Sequence, residues 1–240
     1  MFMEINSFSR PITQNYSNNP ASQPISEKMN AQERGLDQGI ENSQDARNMI
    51  NTAEGALNNV GESLNRMREL TVQASNGILT DDDRSIIQNE IESLKTDISD
   101  SLRNTEFNQI SLFEGTEATI QTGANSGQSR NIEIRNTTLE NLGIQNLDVT
   151  EDADLESIDN AIERVSEARS NLGAQDNALG NTVNANSVAR ENTLASQSRL
   201  DEDFAQKVSD LKKNQIMQQY ATQMQRKDMD NQAGVLDSIF

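Results

Sequence analysis

Eight residues of one segment constrain this chain more than any others: Ile50, Ala53, Leu57, Val60, Leu64, Met67, Thr71 and Ala74, with steps of 3, 4, 3, 4, 3, 4 and 3. That spacing is the a/d seam of a coiled coil. A helix built on it has a narrow apolar stripe and cannot hide that stripe alone; most of its stability must come from a packed partner. The helix pattern starts near Glu27 and ends at Asn76-Gly77, where glycine suits a helix stop. Thr80-Asp81-Asp82-Asp83 opens a second helix: Thr80 is a good N-cap, Asp83 stands where a capping box places its acid, and three acids suit the positive end of the helix dipole. Ile87, Ile91, Leu94 and Ile98 give it a stripe of its own, which fades near Asn104. From Asp154 a third helical period begins. Val165, Leu172, Leu179, Asn186, Thr193 and Leu200 recur every seven residues, polar after Leu179, and Asn at such a seam position specifies register at a cost in stability. The last segment, Phe204 to Met229, carries Phe204, Val208, Leu211, Ile216, Tyr220 and Met224 in a drifting stripe that does not extend a straight two-helix seam.

Between the helical regions, residues 107–150 change character. Ile110, Leu112, Phe113 and then Thr119–Thr122 read as short strands. Gly123-Ala124-Asn125-Ser126-Gly127 is turn material, and Asn131-Ile132-Glu133-Ile134-Arg135 alternates as a half-buried strand does. A small hairpin followed by a loop through Leu142-Gly143 is expected. At the front, Pro11, Pro20 and Pro24 lie in a Ser- and Asn-rich stretch, so residues 1–25 are expected to be extended and mobile, with no long helix crossing them. These readings give a mainly α fold. It is an elongated antiparallel helical bundle or coiled-coil rod with a small β-hairpin and flexible termini.

Composition narrows the function. Only 33% of the 240 residues are hydrophobic and 3% aromatic, too little for a thick core but enough for helix seams. Low hydrophobicity with high charge also favours disorder, and periodicity argues against it for the middle of the chain. A formal charge of −18 disfavours nucleic acid and anionic membrane surfaces as partners. No apolar run approaches the length of a membrane span. The opening Met1-Phe2-Met3-Glu4-Ile5-Asn6 lacks the basic and apolar blocks of a signal peptide, so export would follow another route. Cysteine is absent, which excludes disulfides and thiol nucleophiles and leaves the compartment open. With no histidine there is no histidine-based triad, HExxH zinc site or histidine general base, and there is no phosphate-binding glycine loop. Neither an enzyme nor a cofactor is expected. Asp81-Asp82-Asp83 reads as helix capping rather than a metal site, because the alternating acids of a calcium loop are missing. Asn136-Thr137-Thr138 matches a glycosylation sequon and reads as a common accident.

With these pieces assembled, the order of several motifs resembles bacterial flagellin. Gly35-Leu36, Asp45-Ala46, Thr52–Leu57 and Arg66-Met67-Arg68-Glu69-Leu70 are similar to that family's first core helix. Gln88–Ile91 and Thr105–Asn108 are similar to its second helix and exit. Gly123–Gln128 is similar to its hairpin turn. Ile158–Ile162, Leu172-Gly173-Ala174, Glu191-Asn192, Ser198-Arg199-Leu200 and Asp203-Phe204-Ala205 resemble its C-terminal helix. The resemblance covers roughly residues 25–240 and departs from the family twice. The outer variable domains are absent, and about 20 proline-bearing residues replace the usual first helix, of which Met3–Asn6 resembles a remnant.

The resemblance implies five segments: a flexible arm, 1–26; N-terminal core helices, 27–106; hairpin and loop, 107–150; a C-terminal core helix, 151–203; and an inner-tube-type helix and tail, 204–240. It implies a structural subunit of the flagellar filament, self- or co-assembling for motility, secreted and extracellular. The implied partners are other flagellin subunits, an export chaperone and secretion apparatus, and a host Toll-like receptor, without nucleic acid or membrane insertion. Arg66, Leu70 and Glu90 match receptor-contact positions; against this stands a role in subunit packing or plain surface, and Leu70, off the main seam, could be an outward anchor. Ile216, Tyr220, Val235, Leu236 and Ile239 are the expected assembly contacts. The alternative function is a secreted homologue that does not polymerise and serves as a junction piece or receptor ligand.

Overall fold

The computed structural model describes residues 23–151 and 154–237, with the backbone alone at 23 and 228–237. It is mainly α. Helix α1 runs Gln23–Ala74, α2 Asp81–Asn104, α3 Leu139–Leu142 and α4 Leu155–Asp237. Strands β1 (Glu106–Phe107) and β2 (Ile110–Ser111) form one antiparallel pair, and β3 (Thr116–Gln121) and β4 (Ser129–Ile134) another. Two compact units result. Gln32–Arg190 form one, and the described residues before and after it form the other.

In the Gln32–Arg190 unit all eight seam residues of α1, Ile50 through Ala74, are fully enclosed. Even Thr71 is dry, its hydroxyl donating to the Met67 carbonyl at 2.9 Å. Ile87, Ile91 and Ile98 of α2, and Ile158, Ala161, Val165, Leu172 and Leu179 of α4, belong to the same core. Ion pairs record the direction of packing. Asp37, Arg47 and Arg68 of α1 meet Arg190, Asp176 and Asp159 of α4 at 2.6–2.7 Å, so the two helices run antiparallel.

Helix α2 starts as its sequence dictates. The Thr80 side chain accepts from the Asp83 N–H at 3.2 Å, and the Asp83 carboxylate accepts from the Thr80 N–H at 3.1 Å and its hydroxyl at 2.7 Å. These bonds hold the Asp83 carboxyl below its ordinary value, the hydroxyl bond contributing most. A carboxyl whose pKa is lowered by folding stabilises the fold above its unfolded value, and that contribution is lost as pH falls through the folded one. The first turn of α2 is therefore expected to fray on acidification from just under pH ~4 downward. The protection factors of the Asp83 and Arg84 amides, that is, exchange corrected for its intrinsic pH dependence, should fall there in the native chain and stay level in Asp83→Asn.

The hairpin packs on α1 through two glycines one helical turn apart. A Cβ at Gly35 would sit 2.7 Å from the Ala124 Cβ, and one at Gly39 2.6 Å from the Thr122 carbonyl oxygen. Asn42 donates to the Gln121 carbonyl at 2.9 Å and Asn186 of α4 to the Thr122 carbonyl at 2.5 Å. The polar seam position at Asn186 thus satisfies a backbone group of the hairpin rather than another helix. Gly39→Ala gains helix propensity but forces the hairpin backbone to move. We expect a net loss of about 1–3 kcal/mol, as for other overpacked sites, measured as a lowered denaturation midpoint with faster amide exchange at Thr122.

Four readings of the sequence change. The loop through Leu142-Gly143 is a one-turn helix, α3, in which the Thr138 side chain accepts from Asn141 N–H and Gly143, at φ 82°, closes the C-terminus. Such short pieces carry no period to detect. Ile110 belongs to a two-stranded turn whose central residues Asn108 and Gln109 have φ of 50° and 66°. Positive φ at both suits a tight hairpin, although Gln is not the residue expected there. Helix α1 begins at Gln23, so the last three residues of the arm expected to be mobile are helical; Pro24 sits in the first turn, where proline is tolerated. The rest of that expectation lies outside the described residues. Finally, α4 continues through Asp203-Phe204 without a break.

Candidate functional site

The three residues singled out on the N-terminal half sit where α1 and α2 run side by side. Arg66 Nη2 and Nε reach Glu90 Oε1 at 2.7 and 3.0 Å, and its Nη1 reaches Glu69 Oε2 at 3.1 Å. The guanidinium pKa is raised, first by the Glu90 hydrogen bonds and then by Glu69. Both partners of the α1–α2 pair are about half exposed, so the pair is surface structure, available to a partner. Leu70 is not. At 2% exposure it is part of the core, which corrects the reading of it as an outward anchor. The reason is geometric. Helix α1 is flanked by α2 and α4, so its apolar stripe widens to a second line, Met49, Ala56 and Leu70, beside the main seam.

Near this pair, Val72, Ile78 and Ile86 stand 49%, 85% and 68% exposed at the α1–α2 turn. Sequence reasoning missed these three, and their signal was present: each is apolar and off the seam. It also missed Lys95. Its ammonium, almost fully enclosed, donates to Glu92 Oε1 at 2.8 Å and to the Leu147 and Gln145 carbonyls at 2.7 and 3.2 Å. Gln88 adds bonds to Leu147 and Val149, so α2 holds residues 145–149 in place. A lysine in an isoleucine-striped helix gives no warning of that duty.

In the terminal unit, the start of α1 and the distal part of α4 are joined by a bond from Gln197 Nε2 to Asn30 Oδ1 at 3.0 Å. Beyond it the apolar residues of α4 are uncovered: Leu211, Ile216, Met217, Tyr220 and Met224 are 49–65% exposed. Ile216 and Tyr220 therefore sit on an open helix face. Val235 and Leu236 fall in α4 where side chains are not described, and Ile239 lies outside the described residues. Among the described residues no group of acids could hold a metal ion, and no helix is long and apolar enough to cross a membrane.

Two helical regions that pack antiparallel, with a small hairpin between them in the chain, define a mainly helical class of protein. Comparison with known proteins names the class. The family model for the bacterial flagellin N-terminal helical region matches residues 14–118, and that for the C-terminal helical region matches residues 155–234. The chain is 38% identical over 209 residues to a flagellin of Halalkalibacterium halodurans, covering 83% of this chain and 77% of that one. It is 36% identical to a flagellin of Bacillus subtilis, covering 83% and 79%. It is 34% identical to a flagellar filament 33 kDa core protein of Treponema phagedenis, covering 83% and 78%. Among solved structures, Bacillus cereus flagellin matches with a TM-score of 0.54 at 25% identity, over 61% of this chain and 88% of that one. A putative flagellar hook-associated protein of Vibrio parahaemolyticus shares the fold, with a TM-score of 0.65 at 18% identity over 77% and 99%. The chain belongs to the bacterial flagellin family.

Proposed function

We propose that this protein is a structural subunit of the bacterial flagellar filament, with other flagellin subunits as its partners. The observation that carries the reading is the uncovered apolar face of α4 in a chain whose helical regions match both flagellin family models. Apolar residues at 211, 216, 217, 220 and 224 gain nothing in a lone chain, whereas burial against another subunit is worth roughly 1.5–3 kcal/mol for each large side chain. Ile216 and Tyr220, with Val235, Leu236 and Ile239 further on, are the proposed assembly contacts. Arg66, Leu70 and Glu90 are proposed as a subunit or host-receptor region in which Arg66 and Glu90 make the contacts and Leu70 supports the helix beneath them. An enzymatic role finds no support in a chain without His or Cys.

The same reading places the protein outside the cell, delivered by a flagellar export chaperone and secretion apparatus. Heterologous contacts of this kind propagate, while isologous ones close into dimers. Because Pro11 and Pro20 stand where the resemblance to flagellins implies a first helix, this chain is proposed to polymerise beside other flagellin subunits rather than alone. Sedimentation after mixing with short filament seeds of a complete flagellin tests this. Labelled protein should pellet with the growing filaments and stay soluble without them. Labelled protein that remains in the supernatant in both cases would remove the reading.

A further inference from the structure

The α1–α2 turn holds the single Asn-Gly pair of the chain, Asn76-Gly77. We propose that Asn76 is a site of spontaneous deamidation, by which the subunit ages through an intramolecular reaction of its own backbone. Three features of the turn carry this. Both residues lie outside the helices and are exposed, so the backbone is free of the hydrogen-bonded ladder that would hold it away from reaction. The Gly77 N–H makes no hydrogen bond to any described residue, and a Cβ there would meet nothing within 4 Å, so the attacking nitrogen is neither occupied nor shielded. The Asn76 side chain is folded back over the peptide: its Oδ1 accepts from the Ile78 N–H at 3.3 Å. That bond places a donor on the oxygen where negative charge develops when the side-chain carbonyl is attacked, which is where a fixed donor lowers a barrier. Tethering nucleophile and carbonyl in one residue pair also removes the entropy of bringing them together.

In the reaction the Gly77 nitrogen attacks Asn76 Cγ and a new C–N bond forms. The Cγ–Nδ2 bond breaks, and ammonia leaves with the proton lost by Gly77. The cyclic imide then takes up water. Opening the bond between the nitrogen and Cγ gives aspartate, and opening the one between the nitrogen and the main-chain carbonyl gives isoaspartate. No oxidant, metal or second protein is required. Either product adds a carboxylate five residues before Asp81-Asp82-Asp83, and isoaspartate also lengthens the backbone by one methylene between positions 76 and 77, beside Ile78, the most exposed large apolar residue of the described chain. The change thus falls on the exposed turn that carries Ile78.

The test uses the full chain, incubated at mildly alkaline pH. Mass spectrometry follows the peptide Glu69–Arg84 that trypsin releases, with isoaspartyl methylation as an independent readout. Asn76 should deamidate before every other asparagine, including Asn125, which precedes Ser126 in the hairpin turn. Gly77→Ala should slow it about tenfold or more, with an unchanged circular dichroism spectrum. Asn76→Ser should remove the methylated product. If Asn76 stays intact while other asparagines react, or Gly77→Ala reacts as fast as the native chain, the proposal is wrong.

Discussion

Replacing Leu64 by Asp should abolish cooperative folding of the Gln32–Arg190 unit. Leu64 has no exposure and lies midway along the α1 seam, where α1 shares one core with α2 and α4. The substitution forfeits the roughly 1.5–3 kcal/mol of the buried side chain. It also adds a buried carboxylate without a cation, at a further cost of several kcal/mol. Domains of this size hold only about 5–15 kcal/mol of net stability, so the sum consumes most of it. The milder Leu64→Ala should cost about 2–5 kcal/mol and leave a measurable transition at lower temperature. Thermal melts followed by circular dichroism distinguish the three proteins. An Asp variant with a native-like transition would mean that the seam is not the core.

The second large effect should be on assembly and not on folding. Ile216→Asp combined with Tyr220→Asp alters two residues that are 64% and 65% exposed, so stability should move by no more than about 0.5 kcal/mol per site. If both are buried against a neighbouring subunit, losing them removes roughly 3–6 kcal/mol of contact, a weakening of about 10²- to 10⁴-fold. Incorporation into filaments should then fall below detection while the melting curve stays in place. Equal incorporation of the double variant and the native chain would show that this face stays in water.

The helices and their partners were legible because a periodic stripe reports burial directly. Ile50 through Ala74, Ile87 through Ile98 and Val165 through Leu179 all lie where their spacing put them, and Thr80 and Asp83 form the box that their separation of three residues anticipates. What escaped was whatever depends on a third neighbour. Leu70 lies off the seam of a two-helix pair, and a helix wedged between two others has a broader dry face that takes it in. Gly35 and Gly39 carried a spacing that allows close approach, yet nothing in it says that a hairpin fills the gap. The drifting stripe after Phe204 carries no straight two-helix seam in its spacing, and in the terminal unit Leu211, Ile216, Met217, Tyr220 and Met224 are exposed. Lys95 shows the opposite limit: a charge in a helix reads as surface until the 145–147 carbonyls fold over it.

Whether this chain is a subunit of a filament is settled by electron microscopy of epitope-labelled protein mixed with a complete flagellin. The prediction is label distributed along regular filaments in the mixture, with monomers or small oligomers when the protein is alone. Filaments free of label, with the protein left dispersed beside them, would contradict it.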